Sequence, residues 1–153
     1  MDLITLTALD QDLEAYVHKY YEQHHVVDSH KIAARYNELF IAYSSIEGIE
    51  ALKRALFLQW YAVAEPSFLT GIGILDAKCE SDNFVKLNSV LKGGYYDFEL
   101  LKMLRHYFAI VDYYFKDHPE VELSINLLTD DFLPIQAYEN RGLMGTYWRS
   151  IIK

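Results

Sequence analysis

Four of the six histidines fall between residues 18 and 30, and the first of them sits among carboxylates at helical spacing. At 100° per residue, Glu14, His18, Glu22 and His25 share about 80° of arc on one helix face. Glu22-x-x-His25 has the spacing of half a di-iron carboxylate site. Such a bundle needs a second Glu-x-x-His and two further Glu from other helices, and the chain has no second copy. A metal- or ligand-binding bundle enzyme built on this stripe is therefore the alternative reading. It would hold near-stoichiometric iron, zinc or manganese. The favoured reading is a solvated face, where Glu–His pairs at i,i+4 add a few tenths of a kcal/mol. The apolar stripe of the same helix lies about 145° away. His24 falls within that stripe and is expected to be a hydrogen-bonded core histidine.

Other chemistry is scarce. There is no His-Glu-x-x-His and no pair of cysteines, so no zinc spacing exists. Cys79, the single cysteine, stands between Lys78 and Glu80 with no histidine near in sequence, which suits an inert thiol. No Gly-x-Ser-x-Gly elbow and no P-loop occur. Gly71-Ile72-Gly73 begins like a dinucleotide fingerprint, but Asp76 stands where the third glycine belongs. A flexible connection between helices is expected there. Asp130-Asp131 reads as a helix cap and first turn. No catalytic residue, metal or cofactor is expected, and the chain reads as non-enzymatic.

The elements that position these residues follow from length and periodicity. With 153 residues, 52 % hydrophobic, and only 7 Gly and 3 Pro, the chain suits one mostly α domain. The expected architecture is a single-domain bundle of about five to six helices spanning 1–153. A first helix is expected from a cap at Asp10 or Asp12 to about Val27, with Leu13, Tyr16, Val17 and Tyr20 inward. A second follows a break at Asp28-Ser29, presenting Ile32, Tyr36, Leu39, Phe40 and Tyr43. The third, about 46–64, is apolar most of the way round, which places it at the centre. A short helix is expected over 82–91 and a long one from an Asp97 cap to about Lys116. Residues 121–127 fit two patterns: a short strand, by alternation of Val121, Leu123, Ile125 and Leu127, or a helix opened by Pro119. Pro134, Gly142 and Gly145 leave room for one short helix near 135–141 and an irregular end.

Charge then narrows the function classes. The formal net charge is −8, with eleven acids and five bases in residues 1–76 and eleven acids and nine bases beyond. Nucleic acids and anionic membranes are poor partners for such a field, and a basic protein is a good one. No run of residues approaches the roughly 20 apolar positions of a membrane span. The lack of paired cysteines and of a leader-like start suits the cytoplasm. The 13 Tyr and 2 Trp include neighbouring pairs, such as Tyr20-Tyr21 and Tyr113-Tyr114, that cannot share one helix face. Some rings are therefore expected at the surface beside carboxylates, a combination suited to a cationic protein partner. The residues expected to bind that partner are Glu47, Glu50, Glu65 and Asp76, with Trp60 or Tyr61 as an anchor. Glu47 and Glu50 also suit the dipole at the start of the third helix.

Two stretches carry a resemblance. Ala51-Leu52-Lys53-Arg54-Ala55-Leu56-Phe57-Leu58-Gln59-Trp60-Tyr61 with Glu65-Pro66-Ser67-Phe68-Leu69-Thr70-Gly71-Ile72 is one, and Asp97-Phe98-Glu99-Leu100-Leu101-Lys102-Met103-Leu104 is the other. Over about half its length the chain resembles the small, acidic, helical immunity proteins that bacteria encode beside polymorphic toxins. The resemblance implies stoichiometric neutralisation of a cognate toxin, and the net charge points to a basic toxin domain. The resemblance carries over no catalytic residue. Monomer and homodimer both stay open, and a homo-oligomeric structural subunit whose aromatic surface pairs with itself is a further alternative.

Overall fold

The third helix is apolar on almost every face, and a helix of that kind has to be enclosed by others. The computed structural model, which describes residues 1–23, 29–94, 97–130 and 138–152, shows that enclosure. Helix α3 (Ile49–Ala64) touches α2 (Ser29–Ser45), α5 (Ala77–Lys92), α6 (Phe98–Ile110) and α8 (Gly142–Ile151). Every residue from Ala51 to Trp60 is buried. Helix α1 (Leu3–Gln23) packs on α2 and α8, while α7 (Pro119–Ile125) packs on α5 and α6. A single turn, α4 (Ser67–Thr70), links α3 to α5, and a 3-10 turn over Asp112–Phe115 follows α6. The described residues form a mostly α bundle without a strand.

Several boundaries differ from expectation, each for a local reason. Helix α1 begins at Leu3, because Asp2 caps it by accepting the Thr5 N–H at 2.8 Å. Asp10 is thus not a cap; it lies inside the helix and is 2 % exposed. Helix α2 runs through Ser45, and α3 starts only after Gly48, whose φ of +112° no helix accommodates. Asp76 caps α5 by accepting the Cys79 N–H at 2.8 Å, so that helix starts before residue 82. Asp97 caps α6 as expected, accepting the Leu100 N–H at 2.9 Å, but the helix breaks at Val111 rather than reaching Lys116.

Residues 121–127 are not a strand. Pro119 opens α7, and Val121, Ser124 and Ile125 face inward with helical spacing, leaving Leu123 and Leu127 exposed. The alternation was coincidental with a helix that buries only one side. At the end of the chain a helix occupies 142–151, and residues 138–141 before it are not helical; residues 135–137 lie outside the described ones, as do His24, His25, Val27 and Asp28. Gly142 and Gly145 are no helix breakers here. A Cβ on Gly142 would meet Asp10 Oδ2 at 2.0 Å, and one on Gly145 would meet the Tyr138 carbonyl at 2.1 Å. Both are required by close packing.

One polar network crosses this apolar bundle. The central helix buries Lys53 and Arg54, and each finds carboxylates. Lys53 Nζ donates to Glu99 Oε1 and contacts Asp97 Oδ2, both at 3.0 Å. Arg54 donates to Glu50 Oε1 at 3.1 Å, Thr7 Oγ1 at 2.5 Å and the Asn140 carbonyl at 3.0 Å. Arg141 clasps both Glu50 oxygens, at 2.9 and 2.7 Å, and reaches Glu99 at 2.5 Å. Asp10 completes the set, accepting from Tyr43 Oη at 2.7 Å and from the Leu143 N–H at 2.9 Å. The network joins α1, α2, α3, α6 and the start of α8.

Burial raises the Asp10 carboxyl to about 6 and nearby Glu14 adds to the rise, whereas Tyr43, the Leu143 amide and Arg54 oppose it. A raised carboxylate pKa stabilises the fold below about pH 4, and that contribution is lost as pH climbs through 6. From 3.8 to about 6 the difference amounts to about 3 kcal/mol. In urea unfolding between pH 4 and 7, the stability of Asp10→Asn relative to the native chain should rise by up to that amount. Parallel pH profiles would show that Asp10 does not titrate in this way. Gly142→Ala, strained at φ +61° and clashing with Asp10, should cost about 1–3 kcal/mol in the same assay.

Candidate protein-binding surface

The six residues expected to bind a partner are dispersed by the fold. Glu50 is committed to Arg54 and Arg141 inside the network. Trp60 is 1 % exposed, so it cannot anchor a partner. Its Nε1 donates to the Tyr107 carbonyl at 3.2 Å and its ring stacks on Tyr107 with centroids 4.2 Å apart. An aromatic residue in the most enclosed turn of α3 belongs to the core. Tyr61, one residue on, is half-buried and stacked on Phe57. Burial and the charge of Glu65 both push its hydroxyl pKa up. Glu47 is exposed before the start of α3, whereas Glu65 is exposed just after its end. Sixteen helical residues span about 24 Å, so these two acids belong to different surfaces.

Tyr61, Glu65 and Asp76 bracket one corner, the segment from the end of α3 through α4 to the start of α5. This corner combines inward and outward apolar side chains in a way periodicity does not reveal. Thr70, Ile72 and Leu75 are buried, while Phe68 is 72 % and Ile74 96 % exposed, with Leu69 and Val63 also at the surface. The backbone is held in place. Gly71 closes α4 in the left-handed conformation and lies so near α2 that a Cβ would stand 2.7 Å from Ile32 Cγ2. Thr70 Oγ1 accepts the Ile72 N–H at 3.0 Å. Asn37 Oδ1 accepts the Asp76 N–H at 2.7 Å, and Tyr21 Oη donates to the Phe68 carbonyl at 2.5 Å. Gly71-Ile72-Gly73 is therefore a packed junction, not the flexible connection expected from its composition.

Electrostatics at the corner are one-sided. No Lys or Arg occurs between Ala55 and Ala77. Glu65 has no ion pair among the described residues. Its charge reaches both Tyr61 and Tyr147, whose hydroxyls are pushed up first by burial. Asp76 is held below the usual carboxylate range by hydrogen bonds from Cys79, and so stays charged as it caps α5. Burial and Asp76 together raise the Cys79 thiol, consistent with an unreactive side chain. Two grooves flank α4. One, of about 510 Å³, runs past Leu69, Tyr61, His18 and Glu14. The other, of about 500 Å³, lies between the last turn of α3 and Ile72–Ile74.

The first-helix stripe does not converge. Glu14 accepts from Thr146 Oγ1 at 2.7 Å, which ties α1 to α8, and His18 pairs with Glu22 at 3.1 Å in solvent. His25 lies outside the described residues. Among the described residues no three His, Cys, Asp or Glu side chains group to hold a metal. Of the tyrosine pairs, Tyr113 is exposed while Tyr114 turns inward to donate to Glu80 at 2.5 Å. The sequence signal that could have singled out this corner is the run of apolar residues from 66 to 75 in a segment with no long helix, where chain geometry forces some of them outward.

Because Phe68 and Ile74 meet solvent, Phe68→Ser and Ile74→Ser should each shift urea-unfolding stability by less than about 0.5 kcal/mol. Ile72→Ala, by contrast, should cost about 2–5 kcal/mol. Equal losses at the three positions would mean that the exposed residues are packed in solution. Among the described residues no helix is long and apolar enough to cross a membrane. Comparisons with family models, curated proteins and solved structures give no match to this chain.

Proposed function

We propose that the chain is a non-enzymatic protein-binding module, an immunity protein that neutralises a basic toxin domain in the cytoplasm by one-to-one binding. The observation that carries this reading is the corner at α4. It presents Val63, Phe68, Leu69 and Ile74 outward on a fixed backbone beside Glu65, which has no ion pair among the described residues. Apolar anchors ringed by polar groups are how protein interfaces are built. A backbone already held in place loses little entropy on docking. The net charge of −8 adds long-range attraction for a cationic partner and speeds encounter. Self-association through the same corner is disfavoured, since a twofold contact would bring two acidic surfaces together with no Lys or Arg in the segment to offset them.

The test is to express the tagged chain in the cells that encode it and recover what binds at about 100 mM salt, where surface charge still acts. One basic protein at equal stoichiometry is expected, toxic when produced alone and harmless when co-produced with this chain. Its association should slow several-fold with Glu65→Lys at low salt. An acidic partner, or none, would overturn the proposal.

A further inference from the structure

The groove between the end of α3 and Ile72–Ile74 has a composition that fits one kind of side chain. Its floor is the last turn of a sixteen-residue helix. There the carbonyls of Ala62, Val63 and Ala64 accept no hydrogen bond among the described residues, because the chain turns extended at Glu65 and Pro66 has no N–H to offer. Unpaired carbonyls at a helix C-terminus carry the negative end of the helix dipole. Glu65 adds a full charge at the same place. Val63, Pro66, Ile72 and Ile74 supply apolar lining beside the polar Glu65 and Ser67. No cationic side chain lines the groove.

A small anion is repelled here, and a bare metal ion leaves the apolar walls in water. A long aliphatic stem ending in a planar cation uses both features. The stem lies between Val63 and Ile74, and the guanidinium donates to the Glu65 carboxylate and the free carbonyls. We infer that this groove is a receptor for an arginine side chain of a basic protein partner, with Phe68 and Leu69 supplying the apolar contact beside it. The inference rests on the binding reading above, and names the subsite through which it acts.

The probe is acetyl-arginine amide, with acetyl-citrulline amide as its uncharged isostere, titrated against the whole labelled chain while backbone amide signals are followed by NMR. Arginine amide should give saturable shifts confined to residues 62–67 and 72–74, with a dissociation constant on the order of 1 mM. Citrulline amide should bind at least tenfold more weakly. Glu65→Gln should weaken arginine binding at least fivefold, and Ile74→Ser about twofold, both at unchanged melting temperature because both residues are exposed. Equal binding of the two amides, shifts scattered over the acidic surface, or the same shifts from calcium chloride alone would overturn the subsite. Failure of the two proposals is separable. A one-to-one basic partner indifferent to Glu65→Gln removes the subsite and leaves the binding reading. Arginine-specific shifts without any partner in cells do the reverse.

Discussion

The structure depends on neutralising two cations inside its most apolar helix. Taking Lys53 and Arg54 out of water costs several kcal/mol each unless opposite charges and hydrogen bonds meet them. That requirement decides where the other elements go. Helix α6 must present Asp97 and Glu99 from its first turn, and α1 must bring Thr7. The residues before α8 must supply the Asn140 carbonyl and the Arg141 fork. Hydrophobic burial alone would let helices slide along α3, since apolar contact has no direction. The ionic contacts fix the register. Asp10 extends the same logic to α8, where its carboxylate receives the Leu143 amide only because Gly142 leaves room for it.

The network also divides α3 into two functional halves. Its first two turns carry the cations and Glu50, all engaged internally. Burial works against ionisation of Glu99, but hydrogen bonds from Arg141 and Lys53 hold its carboxyl below the usual range. Its last two turns hold Phe57, Trp60 and Tyr61 in an aromatic cluster with Tyr107, Tyr147 and Trp148. Of the 13 tyrosines, Tyr107 is fully buried in this cluster, and Tyr36 and Tyr43 are fully buried on α2. With its cations withdrawn toward one end, the helix leaves its carbonyl end and Glu65 without a positive neighbour on the same element.

Helical period made the architecture legible. The stripe Ile32, Tyr36, Leu39, Phe40 and Tyr43 is buried as spaced, α3 is enclosed, and Asp97 caps α6. What stayed hidden depends on distant partners. Glu50 looked like a surface acid because its partner Arg141 stands 91 positions away. Trp60 looked like an anchor because ring type says nothing of burial. Residues 121–127 fitted two periods, and only packing against α5 and α6 selects the helix. Gly142 and Gly145 read as interruptions because the side chain and carbonyl that demand them belong to other segments. Tyr61, Glu65 and Asp76, singled out from composition, fall at the corner at α4. The outward Phe68 and Ile74 were missed, since whether an apolar loop residue is buried is set by the backbone it hangs from.

The acidic surplus is a property of the surface rather than of the interior. The internal network pairs Lys53, Arg54 and Arg141 against Glu50, Asp97 and Glu99, so it is neutral apart from Asp10. Nearly all of the −8 therefore faces solvent. Salt screens charge of that kind within a Debye length of about 10 Å, so surface charge of this sort acts on the rate of an encounter more than on its lifetime. On the binding reading proposed above, residence comes from contacts that salt does not screen, which the apolar side chains held outward at α4 would supply. The two properties meet at Glu65, where a helix C-terminus and exposed hydrocarbon lie side by side.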